Sequence, residues 1–111
     1  MKKSCKLTID TSKTDETIVT LEVDGIRREK IFASNVHTSQ KVLPLLEELC
    51  HEFKISIREI TDIRVHTGPG SFTGLRVGAS IGNTLGWLLN VPVNGKKTPV
   101  TKLDYGNDHW G

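Results

Sequence analysis

Four glycines, Gly74, Gly78, Gly82 and Gly86, recur at every fourth position of a segment that otherwise reads as a helix from about Phe72 to Leu89. A glycine in a helix interior costs about 1 kcal/mol relative to alanine, so the set costs ~4 kcal/mol. A fold that keeps all four must offset that loss. Close backbone approach does so, because a Cβ at these positions would clash. Positions four apart drift only ~40° around the axis, so the glycines form one slanted groove. Two kinds of occupant fit the groove: the chain's own sheet or first helix, or a helix from another subunit.

The rest of that helix widens the question. With Phe72 set at zero angle, Leu75, Val77, Ala79, Ile81, Leu85, Leu88, Leu89 and the glycines span an arc of ~220°. Opposite them lie Arg76, Ser80, Asn83 and Thr84, and Trp87 stands in that polar company. Trp and Arg are enriched at binding hot spots, although single exposed apolar residues are ordinary. An earlier helix, Gln40 to Phe53, is also broad: Val42, Leu45, Leu46, Leu49 and Phe53 share a face, with Leu43 and Cys50 beside it. Thr38 or Ser39 is placed to cap its start. Pro44, having no N–H to donate, belongs close to the first turn or kinks the helix. With both arcs wide, a helix–helix interface and internal packing remain equal readings.

Strand signals surround the helices. Leu7-Thr8-Ile9 is a short strand ending at Asp10-Thr11-Ser12. Ile18 to Val23 places Val19, Leu21 and Val23 on one face. Asp24-Gly25 is a tight hairpin turn, and Ile26 to Phe32 returns as the next strand. Its charged middle, Arg27-Arg28-Glu29-Lys30, suits an edge that resists pairing with foreign strands. Ser56-Ile57-Arg58-Glu59 has the capping-box pattern. Asp62 to His66 is a fourth strand, Thr67-Gly68-Pro69-Gly70 a turn, and Val91-Pro92-Val93 a short fifth strand closed by Asn94-Gly95. The order β-β-β-α-β-α-β predicts an α/β fold, a mixed five-stranded sheet with helices packed on it. It predicts one lobe over residues 1–95 and a loosely packed tail over 96–111.

The 111 residues hold 15 Lys and Arg against 13 Asp and Glu, with 36% apolar residues. Such a chain supports one core and is not collagen-like, disulfide-stapled or a highly charged disordered polymer. No apolar run approaches the ~20 residues of a membrane span. The basic start, Met1-Lys2-Lys3-Ser4-Cys5-Lys6, leads into an alternating charged segment and not into an apolar signal core. A cytoplasmic location and reduced thiols at Cys5 and Cys50 are therefore expected. A net charge of +2 gives no strong reason to make nucleic acid the main partner. Lys2, Lys3, Lys6, Arg27, Arg28, Lys96 and Lys97 read as solvated surface, since no aromatic stacking platform accompanies them.

Reactive chemistry is poorly supported. The loop Asp10-Thr11-Ser12 continues as Lys13-Thr14-Asp15-Glu16, without the glycines that bring backbone N–H groups to phosphate. Gly68-Pro69-Gly70-Ser71 precedes a helix but lacks the Gly-Lys-Ser/Thr of a P-loop, so Ser71 reads as a cap. His37, His51, His66 and His109 have no zinc-type spacing. Ser71 and His66 are near in sequence, yet no carboxylate is evident to orient a base. No catalytic, nucleotide-binding or metal-binding residue is assigned, and no cofactor is expected.

Three segments carry a resemblance. Ile9-Asp10-Thr11-Ser12, His37-Thr38-Ser39-Gln40-Lys41-Val42-Leu43-Pro44-Leu45-Leu46 and, above all, Gly68-Pro69-Gly70-Ser71-Phe72-Thr73-Gly74-Leu75-Arg76-Val77-Gly78 resemble the TsaB (YeaZ) family. Val91-Pro92-Val93-Asn94-Gly95 extends the likeness, which runs in order over about residues 5 to 95. The resemblance implies a ribonuclease-H-like lobe of the actin-like ATPase type. It implies a non-catalytic role as partner and scaffold of TsaD in forming N6-threonylcarbamoyladenosine at position 37 of tRNA. In that family the lobes pair through their two helices, so the partner is TsaD or a second copy. TsaE is a further partner, tRNA is met only indirectly, and no membrane is involved.

Transferred to this sequence, the pairing face comprises Leu43, Leu46, Cys50, Gly74, Arg76, Gly78, Gly82 and Trp87. Gly78 and Gly82 would permit close approach, and Leu43, Leu46 and Trp87 would supply buried area. Arg76 would meet a carboxylate across the seam. Gly78→Leu is then expected to abolish dimerisation and leave the monomer folded. The family normally has a second lobe, so the 111 residues are expected to lack a nucleotide cleft between lobes. Lys96-Lys97-Thr98-Pro99 stands where TsaD carries paired metal-binding histidines, and supplies no ligand. The rival readings are a small ATP-binding or peptidase-like enzyme of the actin-like superfamily and a tRNA-binding adaptor.

Overall fold

A computed structural model describes residues 3–33 and 38–106. The strands are β1 (Cys5–Asp10), β2 (Thr17–Val23), β3 (Ile26–Phe32) and β4 (Asp62–Val65), and the helices are α1 (Thr38–Phe53) and α2 (Phe72–Leu89). They form a four-stranded sheet in the order β3-β2-β1-β4. β1 runs antiparallel to β2 and parallel to β4, and β2 runs antiparallel to β3.

The hairpin between β2 and β3 follows from its turn residues. Asp24 and Gly25 both take positive φ, 49° and 88°, as the favoured two-residue turn requires. The Asp24 carboxylate accepts the Ser4 N–H at 3.0 Å, which fastens the turn to the start of β1. β3 forms the sheet edge. There Arg28 and Lys30 both pair with Glu52 of α1, and Lys30 also reaches Glu48. The Lys30 bond holds the Glu52 carboxyl below its ordinary range.

Strand alternation buries one face of the sheet. Cys5, Leu7 and Ile9 of β1, Val19, Leu21 and Val23 of β2, and Ile63 and Val65 of β4 are buried. α1 covers β2 and β3, and α2 covers β4 and β1. Val42, Leu45, Leu46, Leu49 and Cys50 are the buried residues of α1. Each large aliphatic side chain so buried contributes roughly 1.5–3 kcal/mol relative to exposure. α1 starts two residues before the periodicity suggested, so Pro44 lies in its second turn, on an exposed position. The side chains of Thr38 and Ser39, read as caps, lie outside the described residues, as do His37 and His109. The Ser56–Glu59 capping box is present: Ser56 N–H donates to Glu59 Oε2 at 2.7 Å.

The expected fifth strand is reduced to a single parallel bridge, Ile63 to Val93, so the sheet has four strands. The Ile63 N–H donates to Pro92 O, and Asn94 N–H donates to Ile63 O. Beyond that point the Asn94 side chain replaces a strand, accepting Val65 N–H at 2.9 Å and donating to Val65 O at 3.2 Å. Asn94 has φ 52°, a left-handed conformation that ends regular pairing.

Residues 96–106 carry no regular secondary structure but make specific bonds. Asn83 of α2 bonds the N–H and the carbonyl of Val100 through its side-chain amide. Asp104 N–H donates to Thr67 O at 2.7 Å. The Tyr105 ring lies 4.7 Å from that of Phe72.

Candidate partner-binding face

α2 starts at a serine cap and ends on a left-handed asparagine. Ser71 Oγ accepts the Gly74 N–H at 2.9 Å, and Asn90 takes φ 58°. Between them the helix divides into two faces. Gly74, Leu75, Gly78, Ala79, Gly82, Leu85 and Gly86 are buried. On the opposite face Thr73, Arg76, Ser80, Thr84 and Trp87 are exposed, while Asn83 is partly covered by the segment it bonds at Val100.

The glycine groove is filled from within. A Cβ at Gly74 would strike the carbonyl oxygen of Thr11, and one at Gly78 would lie 2.5 Å from Thr11 Oγ1. At Gly82 it would strike Val65 Cγ1, and at Gly86 Val93 Cγ2. The expectation that Gly74, Gly78 and Gly82 receive a foreign helix is therefore corrected. They let α2 settle onto the end of β1, onto β4 and onto the bridge residue Val93. A leucine at Gly78 would break the lobe itself.

Two α1 residues need the same correction. Leu46 is fully buried and Cys50 is 7% exposed, both in the core beneath the sheet-facing side of α1. Neither is available to a partner. Burial pushes the Cys5 thiol up to about 11 and raises Cys50 as well, and both cysteines are free.

The other three residues of the expected face stand outward. Trp87 is 80% exposed and Leu43 is 45% exposed. Arg76 is exposed, with its guanidinium 5.2 Å from the centre of the Phe72 ring. Phe72 and Leu88, which the helical wheel had grouped with the glycines, are also exposed, at 54% and 62%. The sheet takes the glycine half of the wide arc, Ile81 and Leu89 pack partly against the core, and Phe72 and Leu88 remain in solvent. Phe72, Thr73, Arg76, Val77, Ser80 and Ile81 line a shallow groove of about 440 Å³ along this face. Phe72 and Leu88 were legible as surplus arc; that they lie on the side away from the sheet was not.

The end of β1, where a phosphate loop would lie in an ATPase, is a closed turn. Asp10 Oδ1 accepts from the Ser12 N–H at 3.0 Å and from the Ser12 hydroxyl at 2.6 Å. The Thr11 hydroxyl donates to Gly74 O at 2.5 Å, and Ser71 N–H donates to Ser12 O at 2.8 Å. The first turn of α2 thus meets carbonyl oxygens and the Ser71 hydroxyl. Ser71 Oγ is engaged by Gly74 N–H, and no hydrogen bond between it and His66 occurs among the described residues. No group of three or more His, Cys, Asp or Glu residues is placed to hold a metal ion among the described residues.

Antiparallel β1–β3, a parallel β4 and two helices on one face define a ribonuclease-H-like lobe of the actin-like type. A family model described as "TsaD: tRNA N6-adenosine threonylcarbamoyltransferase" matches residues 26–98. The chain is similar to the tRNA threonylcarbamoyladenosine biosynthesis protein TsaB of Bacillus subtilis (strain 168), 32% identical over 88 residues, which are 79% of this chain and 38% of that protein. It is similar to TsaB of Escherichia coli (strain K12), 30% identical over 95 residues, covering 86% of this chain and 41% of that protein. Among solved structures, YeaZ from Pseudomonas aeruginosa matches with a TM-score of 0.76 and 28% identity, over 81% of this chain and 42% of the other. The chain belongs to the threonylcarbamoyltransferase-related family that this model defines, and within it to the TsaB (YeaZ) branch. It spans about two fifths of the length of these relatives.

Proposed function

We propose that this chain acts in tRNA N6-threonylcarbamoyladenosine formation as a non-catalytic, cytoplasmic partner of TsaD, docking through the exposed face of α2 with Leu43 of α1. A second copy of the chain is the alternative occupant of that face, and TsaE a further member of the assembly. The observation that carries the reading is Trp87. A tryptophan four-fifths in solvent, one residue from an exposed leucine, on a helix whose small residues are already used internally, calls for an external contact. Arg76 on the same helix brings the planar donor set suited to a carboxylate across a seam.

The turn at the end of β1 supports the non-catalytic part. Two carbonyl oxygens, of Thr11 and Ser12, lie against the start of α2, where a nucleotide phosphate would need N–H donors. No helix among the described residues is long and apolar enough to cross a membrane.

The test is to mix the chain with TsaD and measure complex mass by light scattering. A one-to-one complex, or a dimer of the chain alone, supports the reading. A strictly monomeric chain in both settings ends it. Calorimetry with ATP and magnesium separates the enzyme alternative: micromolar binding lost on altering Asp10 or Gly70 would favour it.

A further inference from the structure

A cleft of about 670 Å³ opens at the opposite end of the sheet from the β1 turn just described. Its lining comes from four places in the chain: Lys3 before β1, Arg58 to Thr61, Leu89 to Pro92 at the end of α2, and Lys97. The floor is apolar, with Ile60, Leu89, Val91 and Pro92. Lys3, Arg58 and Lys97 bring three positive charges, and Glu59 brings the one carboxylate.

Lys13, Arg27, Arg28 and Lys30 form ion pairs. Lys3, Arg58 and Lys97 belong to the ten described basic residues that form none, with Lys6, Lys41, Lys54, Arg64, Arg76, Lys96 and Lys102, and these three meet at this cleft. The nearby carboxylates are turned to local duties. Glu59 accepts the Ser56 N–H, Asp24 accepts the Ser4 N–H, and Asp62 accepts the Thr61 hydroxyl. Lys97 is held in place, its ammonium donating to Asn90 O at 2.8 Å, where it balances the negative end of α2. An ammonium has three protons, so donor capacity remains for a ligand.

We infer that this cleft is a contact site for the phosphodiester backbone of RNA. Three cations without ion-pair partners, set against the single carboxylate of Glu59 around an open hollow, suit several phosphates spaced along a strand better than one enclosed phosphate. The choice of RNA rests on the tRNA role in the reading above and not on the helix pairing. Binding here is positional and sequence-tolerant, because cations on phosphate carry no base readout.

The experiment is titration of the 111-residue chain with a labelled tRNA transcript between 50 and 200 mM salt, for wild type, Lys3→Gln, Arg58→Gln, Lys97→Gln and Leu43→Ala. Three phosphate contacts give about a 20- to 40-fold loss of affinity over that range. Each Gln variant should weaken binding at 50 mM salt and lower the log–log salt slope by about one. Leu43→Ala, on the pairing face and outside this cleft, should bind tRNA as wild type does, so failure of the pairing reading and failure of this one are separable. Lys3 and Arg58 are exposed, and thermal melts monitor the fold of every variant. The inference is overturned by absence of tRNA binding at 50 mM salt, or by folded variants with an unchanged slope. Polyglutamate binding as tightly as tRNA through the same three residues would also overturn it, in favour of an acidic protein partner.

Discussion

The side chain of Asn94 makes with Val65 both backbone hydrogen bonds that a neighbouring strand would have made. One residue thereby completes the edge of β4 after a single bridge pair. Asn94→Ala removes both bonds and places a Cβ residue without polar help at a positive φ. The expected cost is about 2–3 kcal/mol, read as a lower urea midpoint with an unchanged slope.

The second prediction concerns the sign of a helix substitution. Gly74→Ala should stabilise an isolated helix by about 1 kcal/mol. Here the methyl would meet the Thr11 carbonyl, a backbone atom that cannot swing aside. Net destabilisation of ~1–3 kcal/mol is expected. Chemical denaturation of the purified variant checks it, and a gain in stability would contradict the packing described.

Trp87→Ala should separate stability from association. The indole touches little of its own lobe, so the folding free energy should stay within about 0.5 kcal/mol of wild type. Sedimentation velocity, alone and with TsaD, should show loss of the complex. Arg76→Glu should weaken the complex too, by reversing the charge offered to the partner.

Alkaline pH should weaken the fold through Cys5. Its thiol is pushed up to about 11, first by burial and then by the Cys50 thiol. In the unfolded chain the thiol ionises near its ordinary 9, so above that pH the unfolded state binds fewer protons than the native one. Stability falls from about pH 9 towards 11. A series of urea midpoints across that range tests this, and Cys5→Ala should flatten the part of the slope due to this thiol.

Local chemistry was readable from residue order alone. Asp24-Gly25, the Ser56–Glu59 box and the Ser71 cap are each decided within four residues, and each stands where the pattern puts it. What depended on distant neighbours was less so. The glycine spacing announced close approach, but periodicity does not name the approaching atoms. They belong to Thr11, Val65 and Val93, and the farthest, Thr11 from Gly78, is 67 residues away (78 − 11). For the same reason Leu46 and Cys50 looked available: an arc shows which side of a helix is apolar, and only the sheet's position decides how much of it is consumed. The fifth strand was overcounted because Val91-Pro92-Val93 has strand composition, while the ladder stops at one pair and a side chain finishes the edge.

The fastening of β3 to α1 through Arg28, Lys30, Glu48 and Glu52 has a consequence for how copies can meet. A border ribbon lined with charged side chains and tied to a helix that packs on it is a poor template for another ribbon. Growth by endless stacking is thus disfavoured from the outset. If copies do meet through the helix face proposed above, a two-fold arrangement would use that surface up on both and close the assembly at two.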